Sequence, residues 1–233
     1  MSEMWNFQYT GLAELEVIES NLENYNNFIV SKFFQHSQGV MVVDFGAGIG
    51  TLSAIWKSLN PNASIICIEL DQNQVRVIKD RGLVAKENFE LNIKVDYIFA
   101  SNVLEHIKDD QSLLSIFYNH LNYSGKIGIY VPANQYLYSH IDKKLEHFRR
   151  YSKAELERKV KQAGFKIDEC YFVDSIGFFI WLLVKVFKIK INNENSKLIY
   201  IYDKIIWPIS KLLDILGLRF LIGKNLLLLA SKN

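Results

Sequence analysis

Val40-Met-Val-Val-Asp-Phe-Gly-Ala-Gly-Ile-Gly50 is the stretch that decides the fold of this 233-residue chain. Its apolar, β-branched first half ends in Asp44, and three alternate glycines follow before a helix-like segment: Gly46, Gly48 and Gly50. This order indicates a buried strand, a tight turn and a helix. Glycine suits such a turn because it adopts positive φ and leaves room for a ligand. The amides at the start of the helix then offer an anion site.

A second apolar run, Ser64–Ile68, ends in Glu69, nineteen residues beyond the last glycine of the turn. An acid at the tip of the second strand is well placed to accept both hydroxyls of a ribose. The dinucleotide pattern Gly-x-Gly-x-x-Gly, counted from Gly46, requires a glycine where the chain has Thr51. This mismatch disfavours a nicotinamide- or flavin-dependent enzyme, which stays open as an alternative.

The composition predicts one domain with a sizeable hydrophobic core, because the chain is 49% hydrophobic. A net charge of +2 gives no electrostatic case for nucleic acid as a partner. Cys67 and Cys170 both lie in apolar, strand-like runs and are expected to be reduced core residues. The first residues lack the basic and apolar regions of a secretory signal. We therefore expect a cytoplasmic protein.

Hydrophobic patterns divide the chain into four parts, which are an N-terminal helix (1–38), an α/β core (39–174), an apolar helical segment (175–224) and a last strand (225–233). The N-terminal helix is predicted over Leu12–Phe34 and is expected to cover the edge of the sheet; alternatively, Tyr25 or Asn26 lines the cofactor cleft. Asn122–Lys126 is predicted as a turn. Strands are predicted at Val40–Asp44, Ser64–Ile68, Leu83–Ala85, Asp96–Ala100, Ile127–Val131, Phe165–Val173 and Asn225–Ser231.

The Asp-x-Gly-x-Gly-x-Gly pattern from Asp44 to Gly50 resembles motif I of class I S-adenosylmethionine (SAM)-dependent methyltransferases. The resemblance implies an α/β, Rossmann-like sheet of seven strands, here with a helical insertion before the last strand, and SAM as the cofactor. It also implies that Asp44 and the glycine turn hold the methionine end of SAM and that Glu69 holds the ribose. The cofactor-binding residues expected on this basis are Asp44, Gly46, Ala47, Gly48, Gly50, Glu69, Leu70, Asn88 and Asn102.

A second motif, Ser101–Ile107, resembles the segment after the fourth strand in the methyltransferase subgroup that includes ubiquinone-pathway enzymes. His106 beside Glu105 is a candidate general base, since histidine titrates near neutrality. Alternatively, the two residues orient the following helix. Relatives with Glu-x-x-Glu-His at this point bind a divalent ion, but Asn102 replaces the first acid here. No metal is therefore expected.

The segment Ala133–Ser152 has no clear period and resembles a loop of bacterial methyltransferases found beside, or fused to, family 2 glycosyltransferases; Glu146 replaces that family's glycine. A loop this long beside a cleft is more often functional than idle. Paired arginines can hold a phosphate or carboxylate, or pair with acids such as Asp142 and Glu146. The candidate bases are His106, His140 and His147, and the candidate acceptor-binding residues are Tyr138, Asp142, Arg149 and Arg150.

The insertion starts with the apolar run Ile176–Val184, which lysines then interrupt. A bilayer span needs about 20 apolar residues, so this run is too short to cross a membrane. Leu198–Leu216 is predicted as a helix bent at Pro208. Two interpretations remain open: a lid over the substrate cleft, or peripheral contact of residues 176–190 with lipid headgroups on the inner face of the membrane.

The function expected from these observations is SAM-dependent methyl transfer to an oxygen or nitrogen of a small molecule, a sugar or a lipid-linked glycan. A sulfonium already carries an activated methyl group, so placing the acceptor in line supplies most of the acceleration. Two alternatives from other classes stay open. One is a non-catalytic scaffold of the same fold that binds a partner or membrane through its insertion, and the other is a nicotinamide-dependent oxidoreductase.

Overall fold

The computed structural model describes residues 12–37, 39–89, 93–189 and 196–232. Parts of the predicted N-terminal helix, core, insertion and last strand therefore lie outside the described residues. They are residues 1–11, 38, 90–92, 190–195 and 233.

A single seven-stranded sheet forms the centre of the molecule, in the order β3-β2-β1-β4-β5-β7-β6. The first five strands are parallel, while β7 runs antiparallel to both β5 and β6. This arrangement confirms the predicted seven-stranded α/β sheet with an antiparallel last strand. The strands are β1 Met41–Phe45, β2 Ser64–Ile68, β3 Val84–Lys86, β4 Val95–Ser101, β5 Leu121–Pro132, β6 Phe165–Val173 and β7 Asn225–Lys232.

Ten α-helices are assigned within the described residues, and side chains cap several of their N-termini. The Asp71 carboxylate accepts the amides of Asn73 and Gln74, and the Ser152 hydroxyl accepts the amide of Glu155. The helices are α1 Leu12–Asn21, α2 Glu23–His36, α3 Thr51–Leu59, α4 Gln72–Asp80, α5 Asp110–His120, α6 His140–Lys144, α7 Lys153–Gln162, α8 Ser175–Val186, α9 Ser196–Ile201 and α10 Trp207–Ile215.

Helices cover both faces of the sheet and bury a separate apolar cluster on each. On one face Phe33 of α2, Trp56 of α3 and Ile78 of α4 pack against the strands. On the other face Leu114 of α5 and Leu156 of α7 do so. The near-continuous apolar runs of the strands are explained by this double coverage, since a parallel sheet is buried on both sides. The sheet is thus held rigid, and only its edges and strand ends face solvent.

Three local features differ from the sequence prediction. The predicted N-terminal helix is two helices, α1 and α2, which break at Leu22. The predicted turn Asn122–Lys126 lies inside β5, where four residues bulge opposite Asp96 of β4 and Ser124 takes φ +61°. The predicted bend at Pro208 is a π-helical turn, Tyr202–Ile206, just before that proline. Proline supplies no amide hydrogen and crowds the preceding turn, so the backbone widens there.

The insertion is tied to the N-terminal part of α2. Asp203, in the π-helical turn, is fully buried, and its carboxylate accepts the backbone amides of Asn24 and Tyr25 at 3.0 and 2.9 Å. Leu22 stands at the cap position of α2 and has no side chain for that purpose. The cap therefore comes from a residue about 180 positions away. Across the described part of the chain, no helix combines the length and apolarity needed to span a bilayer.

Candidate active site

One large cavity, of about 1130 Å³, lies at the carboxyl ends of β1, β2 and β4. Ligands of open α/β sheets bind at this edge, where the strand order reverses on either side of the first strand. The cavity runs from the turn after β1, past the tip of β2, to the segment after β4 and on to the loop that follows β5. Two regions of wall can be distinguished, and they are built differently.

The turn after β1 forms the first region with main-chain atoms. The amides of Gly46 and Ala47 both donate to the carbonyl of Ile68, at 2.9 and 3.1 Å, which pins the turn to β2. Gly46 has φ +72°, and a Cβ there would lie 2.5 Å from a methyl carbon of Val103. Only glycine satisfies both conditions. Gly48 lies beside it in the cavity wall with φ +58°.

Glu69 lies in the cavity wall at the tip of β2, as the sequence predicts. One carboxylate oxygen accepts the amide of Gly48 at 2.8 Å, and the other accepts the amides of Leu70 and Asp71 at 2.7 and 3.1 Å. Burial raises the pKa of Glu69, and these three amide bonds oppose the rise. The carboxylate is thereby fixed to the glycine turn.

Asp44 is buried at the end of β1 and faces the same cavity. Its carboxylate accepts the Ser53 hydroxyl at 2.8 Å, and that hydroxyl accepts the Cys67 thiol at 3.2 Å. Burial raises the pKa of Asp44 to about 7; the Ser53 hydrogen bond opposes the rise and the charge of Glu69 adds to it. A cationic group in the cavity would stabilise the ionised form of both acids.

The remaining predicted cofactor positions separate into two groups. Leu70, Asn88 and Asn102 all line the cavity, and Asn102 takes φ +54° while its amide donates to the Tyr130 carbonyl at 2.8 Å. Gly50 instead lies behind the turn at the start of α3, where its amide donates to the carbonyl of Ala47. Its contribution is to the shape of the turn.

The second region of wall is built from side chains, beginning with Glu105 and His106 in a short 3₁₀ turn after β4. Glu105 is fully buried, and burial raises its pKa to about 8. Burial, with a smaller contribution from the charge of His147, lowers the pKa of His106 to about 3. At neutral pH both side chains are therefore largely uncharged.

His147, from the loop after β5, meets His106 in the cavity wall with ring centroids 4.6 Å apart. Its Nδ1 lies 3.0 Å from a carboxylate oxygen of Asp142, and Arg150 Nε donates to the same oxygen at 2.7 Å. Burial alone would raise the pKa of Asp142, but the bonds to His147 and Arg150 outweigh it and hold the pKa at about 2. The carboxylate thus stays ionised and fixes the ring of His147 through Nδ1, which leaves Nε2 outside that bond.

Glu105, His106 and His147 each offer a ligand-type atom, and these atoms lie within 4.8 Å of one another. Divalent transition metals bind carboxylate oxygen and imidazole nitrogen as ligands. The sequence predicts no metal at this point because Asn102 replaces an acid, whereas His147 reaches the cluster from a separate segment of the chain.

Of the predicted catalytic and acceptor-binding residues, four lie outside the cavity lining, and three of them are His140, Tyr138 and Arg149. His140 is exposed at the start of α6, and Tyr138 donates its hydroxyl to the His147 carbonyl at 2.6 Å. Arg149 pairs with Asp110 at 2.9 Å. The arginine pair therefore binds acids, although the partner of Arg149 is Asp110 and not Glu146.

Asp142, the remaining predicted acceptor-binding residue, is buried behind the wall. Its carboxylate touches His147 and Arg150, and both of these side chains line the cavity. Asp142 therefore acts on the cavity through its two partners.

The sequence analysis does not predict several of the cavity residues, because they come from segments far along the chain from the recognised motifs. Trp181 of α8 lines the cavity with the Arg150 guanidinium 4.9 Å and the Lys224 ammonium 5.7 Å from its ring. Asn225 opens β7 opposite Pro132, and its amide nitrogen lies 2.6 Å from the Tyr25 hydroxyl. The antiparallel pairing of β7 with β5 brings the start of β7 to the ligand edge of the sheet. That pairing is the signal that could have identified Asn225 as a cavity residue. Tyr25 and Asn26 both line the cavity, which is the alternative that the sequence analysis left open for the N-terminal helix.

The main-chain region has the features that SAM requires. A positive-φ turn leaves no room for a Cβ, an acid at the tip of β2 suits a ribose, and Asp44 beside it suits a cationic methionine end. Strand order, turn and cavity together define the fold and nucleoside-type site of class I methyltransferases.

Comparisons with known proteins agree with that class. Residues 43–127 match the Methyltransf_12 family, described as a methyltransferase domain. The chain is a SAM-dependent methyltransferase, with SAM as its cofactor. The comparison with curated proteins gives no match.

Solved structures share the fold at low sequence identity. A Haemonchus contortus phosphoethanolamine N-methyltransferase in complex with SAM is 22% identical, with a TM-score of 0.64 over 99% of this chain and 58% of that one. A SAM-dependent methyltransferase from Archaeoglobus fulgidus is 16% identical, with a TM-score of 0.57 over 93% and 94% of the two chains. The [4+2]-cyclase SpnF is also 16% identical, with a TM-score of 0.58 over 90% and 80%.

Proposed function

We propose that the chain transfers a methyl group from SAM to an oxygen or nitrogen of an acceptor bound beside His147. The observation that carries this proposal is that one continuous cavity joins the glycine turn and Glu69 to His147. Donor and acceptor held in one cavity react as a pair, and such positioning lowers the barrier without further chemistry.

On the donor side, Asp44 and the glycine turn from Gly46 to Gly48, which has no side chain in the way, would hold the methionine end. Glu69 would accept the ribose hydroxyls, and Leu70 with Asn88 would flank the adenine. SAM supplies an activated methyl group when bound. The role of these residues is to fix its orientation, and the hydrogen bonds that already hold Glu69 make that orientation rigid before binding.

On the acceptor side, His147 is the general base that the geometry favours among the three predicted histidines. Its Nδ1 is bonded to ionised Asp142, so Nε2 is the nitrogen that accepts a proton from an acceptor hydroxyl or ammonium group. The adjacent His106 ring, whose pKa is about 3, receives no proton at neutral pH. Asp142 is a positioning residue, because it reaches the cavity only through its partners.

The acceptor class we propose is a small molecule, and a sugar or a lipid-linked glycan is the leading case. Its support is the sequence resemblance to the ubiquinone-pathway and glycosyltransferase-associated subgroup, and the cation-flanked Trp181 ring in the cavity. Aromatic rings are common platforms for apolar faces of ligands. A cytoplasmic location, with residues 176–190 in peripheral contact with a membrane, completes the proposal.

Isothermal titration with SAM, its demethylated product and NADH tests the donor assignment. We expect SAM and the demethylated product to bind and NADH not to bind. Binding of NADH alone would make the chain an oxidoreductase, and binding of none would favour the scaffold alternative. Glu69→Ala should weaken SAM binding, while Asp80→Ala, at the end of α4, is the matched acidic control and should not.

A methyl-transfer screen tests the acceptor. Radiolabelled SAM is incubated with separate pools of nucleotide sugars, lipid-linked glycans and small amines, and label in the product is counted. Incorporation in the glycan or sugar pools supports the leading case. Incorporation only in the amine pool would replace it with a small nitrogen acceptor, and the same screen with His147→Asn should lose the signal in whichever pool is active.

A further inference from the structure

The outer surface of the insertion is apolar where a water-facing surface would be polar. On α8 and just after it, the exposed side chains Phe179, Leu183, Val186 and Phe187 follow the spacing of one helical face. Helix α8 is therefore apolar on the side that faces away from the molecule as well as on its buried side.

The second helical segment repeats this pattern. Its exposed apolar side chains are Leu198, Tyr200, Ile201, Ile205, Ile209, Leu212, Ile215, Leu216, Phe220 and Leu221. Leu216 and Leu221 are 74% and 75% exposed, while Trp207, Ser210 and Asp214 of α10 face inward and are buried. Helices α8 and α10 pack against each other, and we call the exposed apolar side chains of both segments the apolar face. Large exposed apolar surfaces mark interaction sites.

Within its described residues, the insertion presents only positive charges to solvent. Residues 175–224 hold eight lysines and arginines against three acids, although the whole chain holds 27 against 25. Within the described part of that segment both acids, Asp203 and Asp214, are buried and bonded to backbone amides. The cations that remain half-buried or exposed are Lys185, Lys188, Lys197, Lys204, Lys211, Arg219 and Lys224.

Two of these cations have acidic partners outside the insertion. Lys204 lies 2.8 Å from the exposed carboxylate of Glu23 at the start of α2, and Lys224 lies 3.4 Å from the buried carboxylate of Asp174. The other cations, from Lys185 to Arg219, keep an excess of positive charge around the apolar face.

We propose that the apolar face docks on a lipid bilayer that contains anionic lipids. Apolar side chains enter the headgroup layer, and the surrounding lysines neutralise lipid phosphates, which is the arrangement of interfacial helices that lie on a membrane. The proposed membrane contact therefore includes α9, α10 and Leu221 in addition to residues 176–190. A protein partner would be expected to meet charges of both signs, and the described part of the insertion exposes one sign only.

Docking in this orientation connects the bilayer to the cavity. Trp181 lies on α8 and lines the cavity, so the acceptor side of the active site is one helix away from the docked surface. An acceptor with a lipid tail would leave that tail in the bilayer. This inference deepens the membrane contact of the proposed function; only its last consequence rests on the proposed methyl transfer, and docking itself does not.

Vesicle flotation with the full chain tests the proposal. Vesicles of phosphatidylcholine alone are compared with an equal mixture of phosphatidylcholine and phosphatidylglycerol. We expect flotation with the mixture, much less with phosphatidylcholine alone, and release at high salt, since the screening length falls from about 10 Å at 0.1 M to about 3 Å at 1 M. No flotation with either vesicle would overturn the proposal.

Surface variants locate the contact. Phe187→Ser and Leu216→Ser should each reduce the partition coefficient at least about tenfold, and Lys188→Gln about fivefold. Leu59→Ser in α3, 50% exposed, and Lys79→Gln in α4 are the matched controls and should float like the wild type. Equal flotation of all variants would overturn the assignment of the face.

Two further measurements separate the competing explanations. Sedimentation velocity without lipid tests a second copy of the chain as the occupant, and self-association abolished by Phe187→Ser would overturn bilayer docking. SAM titration of each surface variant reports folding of the site. Absence of SAM binding in the wild type would remove the proposed function and leave the flotation result intact, so the two failures are distinguishable.

Discussion

The two regions of the cavity wall hold their ligand-facing groups in different ways. Around Gly46 and Glu69 the wall consists of backbone amides and one carboxylate fixed by them. Around His147 it consists of side chains whose positions depend on one another, with Asp142 as their common partner. The first region is set by strand ends and, in the proposed function, binds the donor. The second is set by a loop and, in the proposed function, binds the acceptor.

The largest expected effect lies in the side-chain region. His147→Asn should lower kcat about 10² to 10⁴-fold with a smaller change in KM, because a positioned general base contributes that much. The measurement is the initial rate of methyl transfer to the acceptor that the screen identifies. His140→Asn, on the same loop but exposed, should behave as the wild type.

A chelator distinguishes a base from a metal ligand at the same position. If His147 acts as a base, dialysis against EDTA leaves the rate unchanged and added Zn²⁺ or Mn²⁺ does not raise it. Loss of activity on dialysis, restored by one of these ions, would instead make Glu105, His106 and His147 a metal site.

A substitution in the glycine turn tests the main-chain region. Gly46→Ala should weaken SAM binding on the order of 100-fold or more, because the new methyl group meets Val103 at 2.5 Å and displaces the turn. Gly82→Ala is the matched control, since Gly82 has a similar φ of +74° but no atom within 4 Å of the place that a Cβ would take. That variant should lose about 1 kcal/mol of stability and keep SAM affinity. Equal loss of affinity in both would show that backbone strain alone matters.

The pH dependence of SAM binding tests the electrostatics of the main-chain region. Asp44 has a pKa of about 7 in the free protein, and a cationic ligand binds its ionised form. Affinity should therefore fall about tenfold for each pH unit below 7 and level off above it. Asp44→Asn should bind weakly at every pH. A flat profile for the wild type would place the cationic end of SAM away from Asp44.

The smallest effect concerns stability and returns to the side-chain region. The pKa of Glu105 is raised from 4.5 to about 8, so the folded state retains a proton that the unfolded state releases. Stability should therefore fall as pH rises from about 4.5 to about 8, by up to about 1.4 kcal/mol per unit. Asp44 contributes a similar fall that ends near pH 7. Thermal unfolding between about pH 7 and 8 should show a slope that Glu105→Gln removes.

The main-chain region was largely predictable because its signals are local. The run up to Asp44, the three glycines and Glu69 each fix a strand end or a turn within a few residues, and the structure places them as predicted. The side-chain region depends on contacts between distant positions. His106 and His147 meet only because the Ser139 capping box starts α6, buries Asp142 and turns the loop back on the cavity.

Other differences from the prediction also arise from distant partners. Nothing in the sequence around Leu22 breaks a helical period, and the break occurs where Asp203 supplies the cap. Arg149 finds Asp110 instead of its sequence neighbour Glu146. These contacts depend on which elements the sheet order brings together. A local sequence pattern does not contain that information.

The Asp203 cap has a practical consequence for protein engineering. A shortened version that deletes residues 175–224 to improve handling would also strip the first turn of α2 of its acceptor, and it would expose the side of Tyr25 that packs on Trp207. Surface substitutions on the outer helices are therefore the sound route to a less adhesive protein. The insertion is therefore required for the packing of the rest of the domain, although its position before the last strand suggests an accessory segment.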